Sequence, residues 1–152
     1  MLKKIASFTI NHDTLTPGMY VSRIDGDCVT YDLRLKFPNQ GDYVAQPALH
    51  TLEHLIATFV RSSTASEQVV YFGPMGCRTG FYLLMRTQNH ERALEKVKEA
   101  LRKTTDAPEM FGASRKECGN YKELSIEAAH KEAARYLEQL ESREQNFKYP
   151  TE

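Results

Sequence analysis

The sequence predicts an α+β fold: an antiparallel sheet with helices packed on one face. Three observations predict it. Strand-like segments come in pairs joined by short turn signals, helical periodicities occupy separate stretches, and no strand–helix–strand alternation runs through the chain. Taking the 152 residues as one domain, 1–152, gives a chain long enough to bury a substantial core. It contains no internal repeat, low-complexity tract or linker.

The elements follow in order. Residues 18–24 read as a short strand, and Asp25-Gly26 is a hairpin turn signal. The next strand alternates. Val29, Tyr31, Leu33, Leu35 and Phe37 share one face, and Thr30, Asp32, Arg34 and Lys36 share the other. The first face is core; the second is polar and either wet or lining a site. Pro38-Asn39-Gln40-Gly41 ends the strand. Residues 46–63 read as a helix, with Pro47 in its first turn and Leu49, Leu52, Ile56, Phe59 and Val60 at helical spacing. Val69 to Phe72 is a short apolar strand, residues 73–77 a Gly/Pro loop, and Phe81 to Met85 a further strand. Residues 89–103 form an amphipathic helix on Leu94, Val97 and Leu101, followed by a loop over 104–112. An Ala-rich helix spans 121–143, and the last few residues fray.

Composition narrows the function classes. Lys plus Arg and Asp plus Glu number 20 each, so no charge excess invites a nucleic acid or an anionic membrane. No apolar run reaches the roughly 20 residues of a membrane span. Lys3 and Lys4 are not followed by the apolar core of about 7–15 residues that a signal peptide carries. Three cysteines, Cys28, Cys77 and Cys118, are too few and too odd for a disulfide framework, which points to a reducing compartment.

The chemistry concentrates in His50-Thr51-Leu52-Glu53-His54. Positions i and i+4 share a helix face, so both imidazoles reach one ion, and Glu53 lies beside them. This H-x-x-E-H order is the inverse of the zincin motif. Two such histidines can also be satisfied surface or core side chains. A catalytic metal takes three protein ligands and keeps one position open, and Cys118 in Glu117-Cys118-Gly119-Asn120 is the natural third. Two His and one Cys suit zinc, iron or cobalt. The bland alternative for Cys118 is a small buried hydrophobe. Cys77, in Gly76-Cys77-Arg78-Thr79-Gly80, is either a thiolate near a cation or a loop cysteine with no role; Cys28 reads as structural.

Three segments together resemble the S-ribosylhomocysteine lyase (LuxS) family: Leu49-His50-Thr51-Leu52-Glu53-His54-Leu55, Pro74-Met75-Gly76-Cys77-Arg78-Thr79-Gly80-Phe81-Tyr82 and Lys116-Glu117-Cys118-Gly119-Asn120-Tyr121. Weaker echoes are Ser7-Phe8 with His12, Tyr31-Asp32-Leu33-Arg34 and 124–129. They occur in family order along nearly the whole chain. The resemblance implies a LuxS fold, an inverted-zincin-like metallohydrolase type of α+β domain. It implies cleavage of the S-ribosylhomocysteine thioether to homocysteine and 4,5-dihydroxy-2,3-pentanedione, the autoinducer-2 precursor. Carbonyl migration through enediolates is followed by β-elimination. One divalent metal per subunit, Fe2+ with Zn2+ or Co2+ as substitutes, would be held by His50, His54 and Cys118. Glu53 and Cys77 would be the acid/base pair. Ser7, His12, Arg34 and Arg61 would form the substrate-binding set, with Arg34 also the cation near Cys77. The resemblance further implies a cytoplasmic bacterial homodimer with shared active sites and a small-molecule substrate, serving quorum sensing and the methyl cycle. One departure stands out: many family members carry Asp near the position of Tyr71, and if that Asp helps hold the substrate's amino group, another group must do so here.

Two rival readings use the same residues. An inverted-zincin peptidase would use Glu53 to activate water, but needs a downstream Glu ligand and a longer chain. A non-catalytic metal-binding domain would close the site with Cys77 as fourth ligand. A family member that has lost activity is disfavoured because every presumed catalytic residue is present.

Overall fold

The structure, a computed structural model, describes residues 1–150. Four strands form one antiparallel sheet in the order β1-β2-β4-β3: β1 (Gly18–Asp25), β2 (Cys28–Arg34), β3 (Val69–Pro74) and β4 (Gly80–Met85). Three helices complete the fold: α1 (Gln46–Arg61), α2 (His90–Thr105) and α3 (Ile126–Glu141). The α+β reading therefore holds. The core lies between the helices and one sheet face, where Tyr31, Leu33, Phe81 and Leu83 meet Leu52 and Leu55 of α1, Val97 and Leu101 of α2, and Ala133 and Leu140 of α3. No described helix is long and apolar enough to cross a membrane.

Local chemistry explains each boundary. Gly26, at φ 60°, turns β1 into β2. Asn89 caps α2 by accepting from the Arg92 N–H at 3.0 Å. The alternation expected through Phe37 stops earlier. β2 ends at Arg34, and the Leu35 and Lys36 N–H groups both donate to Thr79 O, which turns Phe37 outward to 49% exposure. Gly73 and Pro74, expected to start a loop, instead finish β3. β3 is an edge strand, where the missing proline N–H removes no ladder bond.

The helix expected from residue 121 begins later. Tyr121–Glu123 makes only a 3-10 turn, and Ser125 caps α3 by accepting from the Ala128 N–H at 3.4 Å. The Ser125 N–H donates to Thr51 Oγ1 at 2.7 Å, and that hydroxyl donates to Pro47 O within α1. The start of α3 is thus tied to α1 one residue beyond His50. The carboxy-terminal segment, expected to fray, docks on β1. Gln145 Oε1 accepts from Met19 N–H, Phe147 O accepts from Val21 N–H, and the Tyr149 ring stacks on Tyr20 at 4.9 Å. Thr151 and Glu152, the end of that expectation, lie outside the described residues.

Candidate functional site

Helix α1 presents His50 and His54 from successive turns, with their Nε2 atoms 3.1 Å apart. Cys118 arrives from a turn in which Ser114 O accepts from the N–H groups of Glu117 and Cys118, and its Sγ lies 3.4 Å from His50 Nε2. All three donor atoms fall within 4.8 Å of one another. Ion–ligand bonds of about 2.0–2.3 Å at tetrahedral angles place such atoms roughly 3.3–3.6 Å apart. The observed spacing fits a single small cation.

The far side of each imidazole supports the same conclusion. His54 Nδ1 lies 2.9 Å from Phe111 O, a carbonyl that can only accept, so Nδ1 carries the proton and Nε2 a lone pair. Gly112, at φ 66°, permits this approach, because a Cβ there would stand 3.2 Å from His54 Nδ1. His50 Nδ1 is buried and lies 2.7 Å from Glu123 Oε1, an ion-pair distance. The contact is off the line that a hydrogen bond needs, so Nδ1 has no hydrogen-bond partner. A carboxylate this close to Nδ1 favours the proton on Nδ1 and the lone pair on Nε2. Both Nε2 lone pairs and a sulfur then converge on one point, which a cation resolves. The Asn120 N–H, donating to Cys118 Sγ at 3.4 Å, suits a thiolate there.

Glu53 lies one residue before His54, half-buried, and no hydrogen bond or ion pair engages its carboxylate among the described residues.

The second cluster belongs to the sheet. β2 and β4 pair Arg34 with Gly80, where a Cβ would fall on the Leu33 carbonyl, so only glycine lets the strands approach. That approach brings the residues before β4 alongside Arg34. Arg34 is 2% exposed and Asp32 fully buried. The guanidinium donates to Asp32 through Nε at 3.0 Å and Nη2 at 2.6 Å, and through Nη1 to Thr79 Oγ1 at 2.8 Å. Thr79 Oγ1 lies 3.0 Å from Cys77 Sγ. Burial opposes the guanidinium charge, but Asp32, with smaller help from Cys77 and Tyr149, outweighs it and raises the Arg34 pKa. Arg34 is thus a fixed cation linked to Cys77 through one hydroxyl. Cys77 is exposed, at the end of a turn in which Arg78 takes a left-handed φ of 61°.

The remaining candidates lie elsewhere. Ser7 borders a groove on the outer sheet face with Ser22, Tyr71, Tyr82 and Leu84. His12 is half-buried, its Nδ1 2.9 Å from Ile10 O. Arg61 is exposed and donates to Val70 O at 3.0 Å. The structure therefore gathers His50, His54 and Cys118 in one place, and Arg34 and Cys77 in another. Among the described residues, no hydrogen bond or ion pair joins those two clusters to each other, or to Ser7, His12 or Arg61.

Sequence reasoning missed Asp32, Thr79 and Glu123. Asp32 stands two residues from Arg34, the spacing that shares a strand face, and that signal was available; Thr79 lies in the turn before β4, where strand spacing gives no signal. Glu123 carries none.

A family model described as S-ribosylhomocysteinase (LuxS) matches residues 5–147. The S-ribosylhomocysteine lyase of Borreliella afzelii strain PKo is 43% identical over 157 residues, covering 98% of this chain and 100% of the relative. That of Phocaeicola vulgatus is 43% identical over 159 residues, with 99% of each covered. That of Clostridium acetobutylicum is 46% identical over 138 residues, with 85% and 86% covered.

Proposed function

We propose a function from one premise: the chain belongs to the S-ribosylhomocysteinase (LuxS) family. Its relatives are named as lyases that act on a carbon–sulfur bond, and this chain is an enzyme of that class. The finer reading is that it converts S-ribosylhomocysteine to homocysteine and 4,5-dihydroxy-2,3-pentanedione. The observation that carries it is the convergence of His50, His54 and Cys118 in a chain that matches the family model over residues 5–147.

A ferrous ion held by these three residues, with zinc or cobalt as substitutes, would supply Lewis-acid stabilisation of negative charge on the substrate's oxygens. The chain's own residues do the rest. Shifting a carbonyl along a sugar chain and then expelling a thiol requires protons to leave and return on two sides. The unengaged Glu53 carboxylate serves one side. Cys77 serves the other, its thiolate facing the Arg34 charge through Thr79, as a base and acid rather than a covalent nucleophile. The Arg34 donors are committed to Asp32 and Thr79, which favours its acting through Thr79. Ser7 and His12 hold the ribose, and Arg61 the homocysteine part.

A homodimer with shared sites, a single catalytic domain per chain and a bacterial cytoplasmic setting complete the reading, with roles in autoinducer synthesis and homocysteine recycling. The dimer is supported by exposed Ile5 and Tyr71, which border the outer-face groove, and by the lack of a hydrogen-bond link between the two clusters among the described residues. Light scattering on purified protein tests it, and a monomeric mass would refute it.

The activity is tested by loading the protein anaerobically with iron or cobalt, adding S-ribosylhomocysteine and following thiol release with a chromogenic reagent. Steady release by the parent supports the lyase reading. No release from folded, metal-loaded protein overturns it.

A further inference from the structure

We propose that Tyr149 is a positioning residue for Cys77, acting through Asp32, Arg34 and Thr79. The Tyr149 hydroxyl donates to Asp32 Oδ2 at 2.7 Å. That same oxygen accepts from Arg34 Nη2 at 2.6 Å. The relay continues from Arg34 Nη1 to Thr79 Oγ1 at 2.8 Å and ends on Cys77 Sγ at 3.0 Å. It connects the last described residues of the chain to the exposed thiol between β3 and β4.

Tyr149 is aimed rather than loosely placed. The bonds from Gln145 and Phe147 to β1 fix the backbone before it, and the stack on Tyr20, 20° from parallel, fixes the ring. Burial first, and Asp32 second, push its phenol well above the ordinary tyrosine range, so it remains a donor. The hydroxyl draws part of the Asp32 charge toward itself. Without it, Asp32 engages Arg34 alone, and the positive field reaching Cys77 through Thr79 weakens. The other groups around Cys77 are the Tyr82 phenol, whose pKa is raised by burial and by Asp32, and Arg78, whose guanidinium lies 5.7 Å over the Tyr43 ring. No hydrogen bond joins either of them to Tyr149 among the described residues.

The test is Tyr149→Phe, which keeps the ring stack and removes only the hydroxyl. The rate of Cys77 alkylation by iodoacetamide is read by peptide mass spectrometry, which separates Cys77 from Cys28 and Cys118. Alkylation at neutral pH is expected to slow about threefold, less than a full charged hydrogen bond would give because the effect is relayed. In alkaline solution, where every thiol is ionised, the variant should match the parent. A purely structural role would slow it equally at every pH, and that result, like unchanged alkylation at neutral pH, would overturn the proposal. A Thr79→Val background gives a second test, since cutting the relay there should leave Tyr149→Phe with nothing further to slow; an undiminished threefold effect in that background would also overturn it. The inference rests on the lyase reading only for the use made of Cys77. Alkylation needs no substrate, so thiol release measured on the same samples can fail independently.

Discussion

The candidate metal centre and the proposed thiol relay solve opposite problems with similar parts. At the candidate metal centre, two imidazoles and a sulfur converge within reach of one ion. In the relay, each guanidinium nitrogen of Arg34 donates a hydrogen bond, and its charge is balanced by Asp32 two residues away on the same strand. One cluster is built to receive a charge and the other already holds one. A binding centre is recognised by unmet demand, and a tuning network by a charge already paired and held.

Substitutions can break this contrast. Cys118→Ala has the largest expected effect: metal content by elemental analysis falls and thiol release vanishes with it. Cys77→Ala should keep its metal and still lose about 10²–10⁴-fold in turnover, the usual weight of one acid/base group. If Cys77→Ala lost its metal too, the two clusters would be one. Asp32→Ala leaves the buried Arg34 charge unpaired and should destabilise the fold by about 3–5 kcal/mol in urea denaturation, with metal stoichiometry unchanged. Glu123→Gln weakens the orientation of His50 and should lower metal affinity about 10–100-fold in chelator competition, without changing the rate of Cys77 alkylation. The smallest effect belongs to Ser125→Ala, whose lost cap should cost about 1 kcal/mol in the same denaturation assay.

The same contrast decides what could be read from the chain in advance. His50, Glu53 and His54 are neighbours on one helix, so their spacing alone placed them together. The strands and helices were legible wherever periodicity is local. The relay was only half legible: Asp32 and Arg34 stand on the polar face of β2, but their burial comes from Thr79 and Tyr149, far along the chain. The start of α3 was misjudged for the same reason. Tyr121, Lys122, Glu123 and Leu124 are all acceptable in a helix, and the break is set by the Ser125 tie to Thr51, across 74 residues. The carboxy-terminal segment looked free because nothing nearby in sequence shows that Tyr20 is waiting for Tyr149.

That tie between Thr51 and Ser125 also has a consequence in time. His50 and Cys118 are separated by 68 residues, so during synthesis the two histidines emerge long before the sulfur. An ion captured at that stage would have two protein ligands and a long open loop between it and the third. The hydrogen bond from Ser125 closes nearly the same loop from within the polypeptide, so the entropy of closure is met by folding rather than by the ion. The folded chain thus offers His50, His54 and Cys118 as a gathered set, so an ion bound there would meet ligands that folding, not the ion, has brought together.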